Sequence, residues 1–392
     1  MKREVHLPIK TETWGMIQRL IGFDTTSRES NLGLIEWVRD WLKGYGLESR
    51  LTYDPSGTKA NLFATIPKGA KPGIVLSGHT DVVPVDGQAW DTNPFEAVLK
   101  GDRIYGRGSA DMKSYLACAL AATPRLLAAD LKAPIHLALS YDEEVGCIGV
   151  RGLIDDLVKN GIKPAGCIVG EPTSMQPVIA HKGRRTFRCS VRGKEAHSSL
   201  TPQGVNAIEY AAMLVAHIRD IADRLRDRGA RNTGFDVPFT TMQTGLIRGG
   251  TAPNIVPRDC EFHFELRYLP GADPDALERE ILAYATEVLE PEMKRVDPNV
   301  GFTLVTTSDA PGLDTAETDE ITSLAQSLAS SRSASKVAYA TEAGLFQQAG
   351  MPSIICGPGS IEQAHKANEF ITLEQVALCE SFMERLAAEL SR

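Results

Sequence analysis

The sequence predicts an α/β protein in which a parallel-sheet domain is interrupted by a smaller α+β domain. Short apolar runs alternate with helical patterns up to about residue 170 and again beyond residue 310, as parallel strands with crossover helices require. Between these stretches the apolar residues alternate with polar ones, as in half-buried antiparallel strands. A third observation concerns the strand ends. Histidines and carboxylates recur where apolar runs stop, and in an open α/β sheet that edge is where ligands bind.

The elements follow in order. Residues 11–21 and 32–45 carry amphipathic helical spacing, with Asn31 and Gly46 as expected cap and stop of the second. Residues 47–53 and 60–66 read as strands joined by a Pro-Ser-Gly turn. A short strand, 73–77, runs into Gly78-His79-Thr80-Asp81. A turn-rich stretch, 83–101, leads to Gly108-Ser109-Ala110-Asp111-Met112-Lys113 and a helix at 114–128. The apolar run 133–139 ends in Asp142-Glu143-Glu144, before a helix at 150–158. Strand 166–169 ends in Gly170-Glu171-Pro172-Thr173.

At Lys182-Gly183 the pattern changes. Strand 185–192, helix 206–225, strands 240–248 and 258–268, helix 275–289 and strand 301–307 give β-α-β-β-α-β, an independent α+β sandwich. The first pattern then resumes: helix 318–330, strand 335–338, helix 341–349, strand 352–356 and a closing helix at 373–390. The expected division is therefore 1–182 with 310–392, interrupted by 183–309.

The 392 residues suffice for two domains, and 43% hydrophobic content supports a globular core. A net charge of −8 provides no cationic field for nucleic acid or an anionic membrane. Seven scattered cysteines, without a C-x-x-C pair, fit buried free thiols in a reducing compartment. No apolar stretch approaches a transmembrane length, so a cytoplasmic protein is expected.

Each chemical motif has a bland reading when taken alone. His79-x-Asp81 is the pattern of an oriented imidazole, but also of a buried histidine satisfied by a backbone carbonyl. Asp111 before a helix is equally an N-cap. Asp142-Glu143-Glu144 alone is a solvated acidic loop. Together they place carboxylates and a histidine on one edge of one sheet, where only a cation offsets their repulsion. His79, Asp111, Glu144, Glu171 and His365 form a nitrogen–oxygen donor set without thiolate. It suits two divalent ions, Zn or Co, bridged by one carboxylate. Such a pair generates hydroxide at neutral pH and holds a carbonyl oxygen, leaving Glu143 free as general base and acid. His6, His136, His181, His217 and His263 lack a strand-end carboxylate partner and are read as structural.

These motifs, with Ala364-His365, resemble the M20 family of di-zinc metallopeptidases and aminoacylases across essentially the whole chain. The resemblance implies a di-zinc exopeptidase-like catalytic domain with an inserted ferredoxin-like lid and dimerisation domain. It implies that His79 and Glu171 hold one ion, Glu144 and His365 the other, and that Asp111 bridges them. Glu143 corresponds to the general base and Asp81 to a carboxylate that orients His79. An unusual peptide bond often follows the bridging residue, here Asp111-Met112. In the insertion, His197 resembles the histidine that reaches a neighbouring subunit's site and stabilises the oxyanion. Asn254 and Arg267 resemble substrate contacts, Arg267 pairing with a substrate carboxylate.

Within the family, Thr341-Glu342-Ala343-Gly344 and Gly357-Pro358-Gly359-Ser360-Ile361-Glu362-Gln363-Ala364-His365 are similar to acetylornithine deacetylases. The implied substrate is N-acetyl-L-ornithine in arginine biosynthesis, with Glu342 offering an anion to its side-chain ammonium. A succinyl-diaminopimelate desuccinylase, a dipeptidase or a broader N-acyl-amino-acid hydrolase would use the same machinery. The expected partners are a small N-acyl-amino-acid and a second copy of the chain, with no nucleic acid or membrane.

Overall fold

Helical spacing of apolar residues builds the first elements of this computed structural model, which describes residues 8–67 and 71–392. His6 lies outside the described residues. Helix α1 (Thr11–Ile21) buries Met16, Ile17, Leu20 and Ile21, and α2 (Leu32–Lys43) buries Leu34, Ile35, Val38 and Leu42. Asn31 does not cap α2 with its side chain. Its amide instead bonds both backbone groups of Ala60 at 2.9 and 3.0 Å and Thr80 Oγ1 at 2.9 Å, tying the helix start to two strands. The helix ends before Gly44, two residues earlier than the glycine expected to stop it.

The chain continues through β1 (Ser49–Tyr53), β2 (Ala60–Ile66), β3 (Ile74–His79), β4 (Val98–Lys100), β5 (Arg103–Tyr105), α3 (Lys113–Ala128), β6 (Ile135–Ser140), α4 (Val150–Lys159), β7 (Gly166–Pro172) and β8 (Val178–His181). It then forms β9 (Gly183–Arg192), α5 (Ala207–Arg228), β10 (Thr241–Gly249), β11 (Asp259–Tyr268), α6 (Pro274–Ala283), α7 (Glu290–Met293) and β12 (Gly301–Ala310). The last elements are β13 (Leu313–Asp314), α8 (Glu320–Ala329), β14 (Ser335–Val337), α9 (Ala343–Gln348), β15 (Ser353–Gly357), β16 (Phe370–Thr372) and α10 (Leu373–Leu390). Two units result: Met1–Ala180 with Leu313–Lys336 and Thr341–Arg392, and His181–Gly312 with Val337–Ala340.

The main sheet runs β1-β2-β6-β3-β7-β15-β8-β13, with β14 paired to β8. Strands β6, β3, β7 and β15 are mutually parallel and buried along their whole length, as sheets covered on both faces require. Parallel pairing brings their carboxyl ends to one edge. His79 closes β3 level with Ser140 at the end of β6, and Glu171 lies near the end of β7.

In the second unit, four antiparallel strands run β10-β11-β9-β12. One face carries Phe187, Phe262, Phe264 and Leu266, which pack with Ala211, Leu214, Ile218 and Ile221 of α5. Phe187 and Phe264 stack at 4.6 Å. The other expectation for this unit, one helix over 275–289, is modified. A π-helical turn over Tyr284–Leu289 separates α6 from α7. Pro291 lacks the N–H that a continuous α-helix would need there.

The stretch 83–101 is not turn alone, because it ends in β4, which pairs with β5, and β5 pairs with β16 to complete a small separate sheet. Two three-residue strands completed by a partner from far along the chain leave no periodic local signal. All seven cysteines are buried and free. Among the described residues no helix is long and apolar enough to cross a membrane.

Close packing at the sheet is testable with two glycines. A Cβ on Gly170 would lie 2.1 Å from the ring of Tyr115, whose hydroxyl donates to the Ile168 carbonyl at 3.2 Å. Gly170→Ala should cost about 2–3 kcal/mol in urea unfolding. Gly15 on α1 meets nothing within 4 Å, and Gly15→Ala should add about 0.5–1 kcal/mol.

Candidate metal centre

Five segments of the first unit deliver the cluster: the end of β3, the loop before α3, the loop after β6, the end of β7 and the loop after β15. Asp111 lies at its centre. Its Oδ1 is 3.0 Å from His79 Nε2, and its Oδ2 is 3.4 Å from His365 Nε2. One carboxylate thus turns its two oxygens to two different imidazoles. Glu171 Oε1 lies 3.7 Å from His79 Nε2, and Glu144 Oε2 lies 3.0 Å from His365 Nε2. His79, Asp111 and Glu171 are buried, whereas the His365 side chain is 55% exposed. The Asp111–Met112 peptide is cis.

This donor set fits two cations. A tetrahedral zinc with bonds near 2.0–2.1 Å holds its ligand atoms about 3.4 Å apart, close to the separations around Asp111. Glu171 Oε1 is buried and has no hydrogen-bond partner, a costly arrangement that a cation would resolve. Single donor atoms of His79, Asp111 and Glu144 lie within 4.8 Å of one another, as do those of His79, Glu143 and Glu171. His79 therefore stands between both groupings, and Glu143 is near enough to count among candidate ligands.

The electrostatics describe a site crowded with carboxylates. Burial pushes Glu143 up to about 8, with Glu144, Asp111 and Asp81 adding to the shift against the pull of His79. Burial likewise lifts Glu144 to about 7, and Asp111 adds to it. Hydrogen bonds to Asp111 and Glu144 raise His365 to about 10. Burial works against Asp111, but bonds to His365 and His79 hold it well below the usual carboxylate range.

The supporting contacts differ from expectation in two places. His79 Nδ1 meets the backbone carbonyl of Asp81 at 2.8 Å, whereas the Asp81 carboxylate stands 3.6 Å away. That carboxylate accepts the amides of Glu143 and Glu144 at 3.1 and 3.3 Å and the Ser27 hydroxyl at 2.8 Å. Asp81 thus mainly shapes the acidic loop, and its main chain orients the imidazole. The reason is local: continuing past the end of β3, the carbonyl is the nearer acceptor.

The expectation for Glu342 is not met. Its side chain is fully buried, and its oxygens accept Ser77 Oγ at 2.6 Å and Ser140 Oγ at 2.7 Å. A carboxylate committed to two hydroxyls between β3 and β6 offers no exposed anion to a substrate. Sequence reasoning had no signal for this, because the two serines come from separate strands.

The remaining candidates lie in the second unit. His197 is exposed, and its Nδ1 accepts the Ser199 amide at 3.2 Å. The neutral ring then carries its proton on Nε2. Backbone bonding of Ser198 to Asn254 at 3.0 Å joins the two segments. Arg267 Nε donates to Glu265 Oε1 at 2.7 Å. Of the histidines read as structural, His136 bonds Thr65 and stacks on Phe63, and His217 stacks on Tyr284.

Residues 75–389 match the family model described as peptidase family M20/M25/M40. The chain belongs to this family. It is 33% identical over 362 residues to an acetylornithine deacetylase of Pasteurella multocida, covering 92% of each chain. A metallo-carboxypeptidase of the M20 family from Sulfolobus solfataricus superposes with a TM-score of 0.76 at 19% identity, over 98% of this chain and 100% of the other. A dinuclear metal-binding M20 peptidase from Bacillus subtilis gives 0.65 at 14% identity, over 97% of each chain. As an M20 member with these relatives, the protein is a hydrolase acting on amide bonds.

The titrating groups set the pH dependence of the metal-free protein. His365 rises from its ordinary 6.5 to about 10, so its contribution is present below pH 6.5 and lost as pH climbs towards 10. Glu143 and Glu144 rise from 4.5 to about 8 and 7, so they too favour folding at low pH and cost stability as pH rises through that window. Urea unfolding of chelator-treated protein should therefore show stability falling from pH 5 to pH 9. Added zinc should recover most at pH 9, where binding displaces fewer protons from the ligands than at pH 5. Stability that rose over this range without metal would contradict the packing described.

Proposed function

We propose that the protein is an N-acyl-amino-acid amidohydrolase whose substrate is N-acetyl-L-ornithine, releasing acetate and L-ornithine for arginine biosynthesis. The observation that carries the chemistry is Asp111, with one oxygen towards His79 and the other towards His365, beside Glu143. The 33% identity to an acetylornithine deacetylase over most of both chains supports the substrate.

His79 and Glu171 would hold one ion and Glu144 and His365 the other, with Asp111 shared. The ions, once bound, supply Lewis-acid activation of water and of the scissile carbonyl. Glu143 takes the proton of the attacking water and delivers it to the leaving amine. Its carboxyl, lifted to about 8 by burial, would be brought back towards the basic form by cations held beside it. The Asp81 carboxylate holds the Glu143 amide, which fixes where the base stands.

In the second unit His197, with its proton on Nε2, donates to the developing oxyanion from a second copy of the chain. Arg267 takes the substrate carboxylate in exchange for Glu265, and Asn254 is a further substrate contact. The protein acts in the cytoplasm as a homodimer joined through residues 183–309.

Two measurements test this reading. Glu143→Ala should lower kcat by at least about 10³ while metal content stays unchanged, whereas Asp111→Ala should lose metal and activity together. If Glu143→Ala kept most of its rate, the base assignment would be wrong. Metal-replete protein should release ornithine from N-acetyl-L-ornithine with kcat/KM of about 10⁴ M⁻¹s⁻¹ or more, lose this on chelation and regain it with zinc or cobalt. Metal-dependent turnover of succinyl-diaminopimelate or a dipeptide instead would reassign the substrate and keep the mechanism.

A further inference from the structure

Glu369 and Arg107 are buried to 1% exposure and paired at 2.8 Å. Neither takes part in the chemistry described above. The Glu369 carboxylate receives more than this pair. Its Oε2 also accepts the Gly108 amide at 2.9 Å, and its Oε1 accepts the amides of Ala110 at 2.8 Å and Asp111 at 3.0 Å. Its backbone carbonyl accepts the Gly106 amide at 3.0 Å. One side chain therefore sets the loop that ends in the central aspartate, including that residue's own amide.

Arg107 extends the arrangement to His365. Nη1 also donates to the Lys366 carbonyl at 3.2 Å, and Nη2 donates to Gln88 Oε1 at 2.6 Å. Gln88 in turn donates from Nε2 to the His365 carbonyl at 3.0 Å, and Trp90 Nε1 donates to Gln88 Oε1 at 3.1 Å. The guanidinium lies over the Trp90 ring, 5.1 Å from its centroid. His365 has the left-handed backbone conformation, φ 63°, and a half-exposed side chain, so its own packing holds it weakly. The contacts through Gln88 and Arg107 hold its main chain.

We propose that Glu369, acting through Arg107 and Gln88, is a positioning residue that sets the spacing between Asp111 and His365 and thereby the affinity of the ion held by Glu144 and His365. His79 belongs to β3 and meets this network through Asp111 at 3.0 Å, whereas His365 is held by it through its own main chain as well, so the ion at His79 and Glu171 depends on it less. The inference rests on the metal-centre reading. A buried carboxylate with four donors tolerates no amide in its place, because Glu369→Gln must turn an NH₂ towards N–H groups.

The test is isothermal titration of metal-stripped, folded protein with cobalt, alongside activity at limiting and saturating cobalt. Wild type should bind two ions. Glu369→Gln should keep one within about threefold of wild-type affinity and weaken the other at least 30-fold, and excess cobalt should restore most of kcat. Gln88→Ala, which leaves the buried pair intact, should weaken the same ion about fivefold. Equal weakening of both ions in Glu369→Gln, or wild-type affinity for both, overturns the proposal. Should Glu369→Gln not fold, wild-type affinities in Gln88→Ala overturn it instead. Wild-type protein that bound fewer than two ions would overturn the two-ion reading itself, and the positioning role with it.

Discussion

The structure depends on the crowding of carboxylates at one sheet edge. Asp111, Glu143, Glu144 and Glu171 converge there with only two imidazoles among them, and Asp111 touches both. Burial without compensation would push these groups towards their protonated forms, as the raised Glu143 and Glu144 show. Divalent cations turn that penalty into binding energy. The parallel strands β6, β3 and β7 serve this constraint by ending together.

Around the cluster the same problem recurs at lower intensity and is solved with hydrogen bonds. Asp81 takes the amides of the acidic loop, Glu342 takes the serines of β3 and β6, and Glu369 takes the amides of the Asp111 loop and a guanidinium. Each is a buried carboxylate that fixes a segment carrying a site residue. The site is thus set by a surrounding layer of acceptors as much as by its own side chains, which is the usual requirement for holding metal ligands in place.

Much of the first unit was legible in the sequence because its strands are buried on both faces and read as unbroken apolar runs. His79, Glu143, Glu144 and Glu171 stood out as candidates because they lie at or just past the ends of those runs, and Asp111 because it precedes a helix. The short strands β4, β5 and β16 were not, since three residues carry no period. The break between α6 and α7 was also hidden, because apolar spacing continues across it.

By itself the sequence determined the alternation of elements, the interruption by a second unit, the family, and the residue types available at each strand end. Only the tertiary structure decided which atoms meet. It showed that Asp111 faces both imidazoles, that Asp81 serves the acidic loop more than His79, and that Glu342 is spent on two serines. It also brought Glu369 against a loop more than 250 positions away in the chain. Periodicity and motif spacing report on neighbours along the chain, whereas a buried carboxylate takes its role from whichever donors packing presents to it.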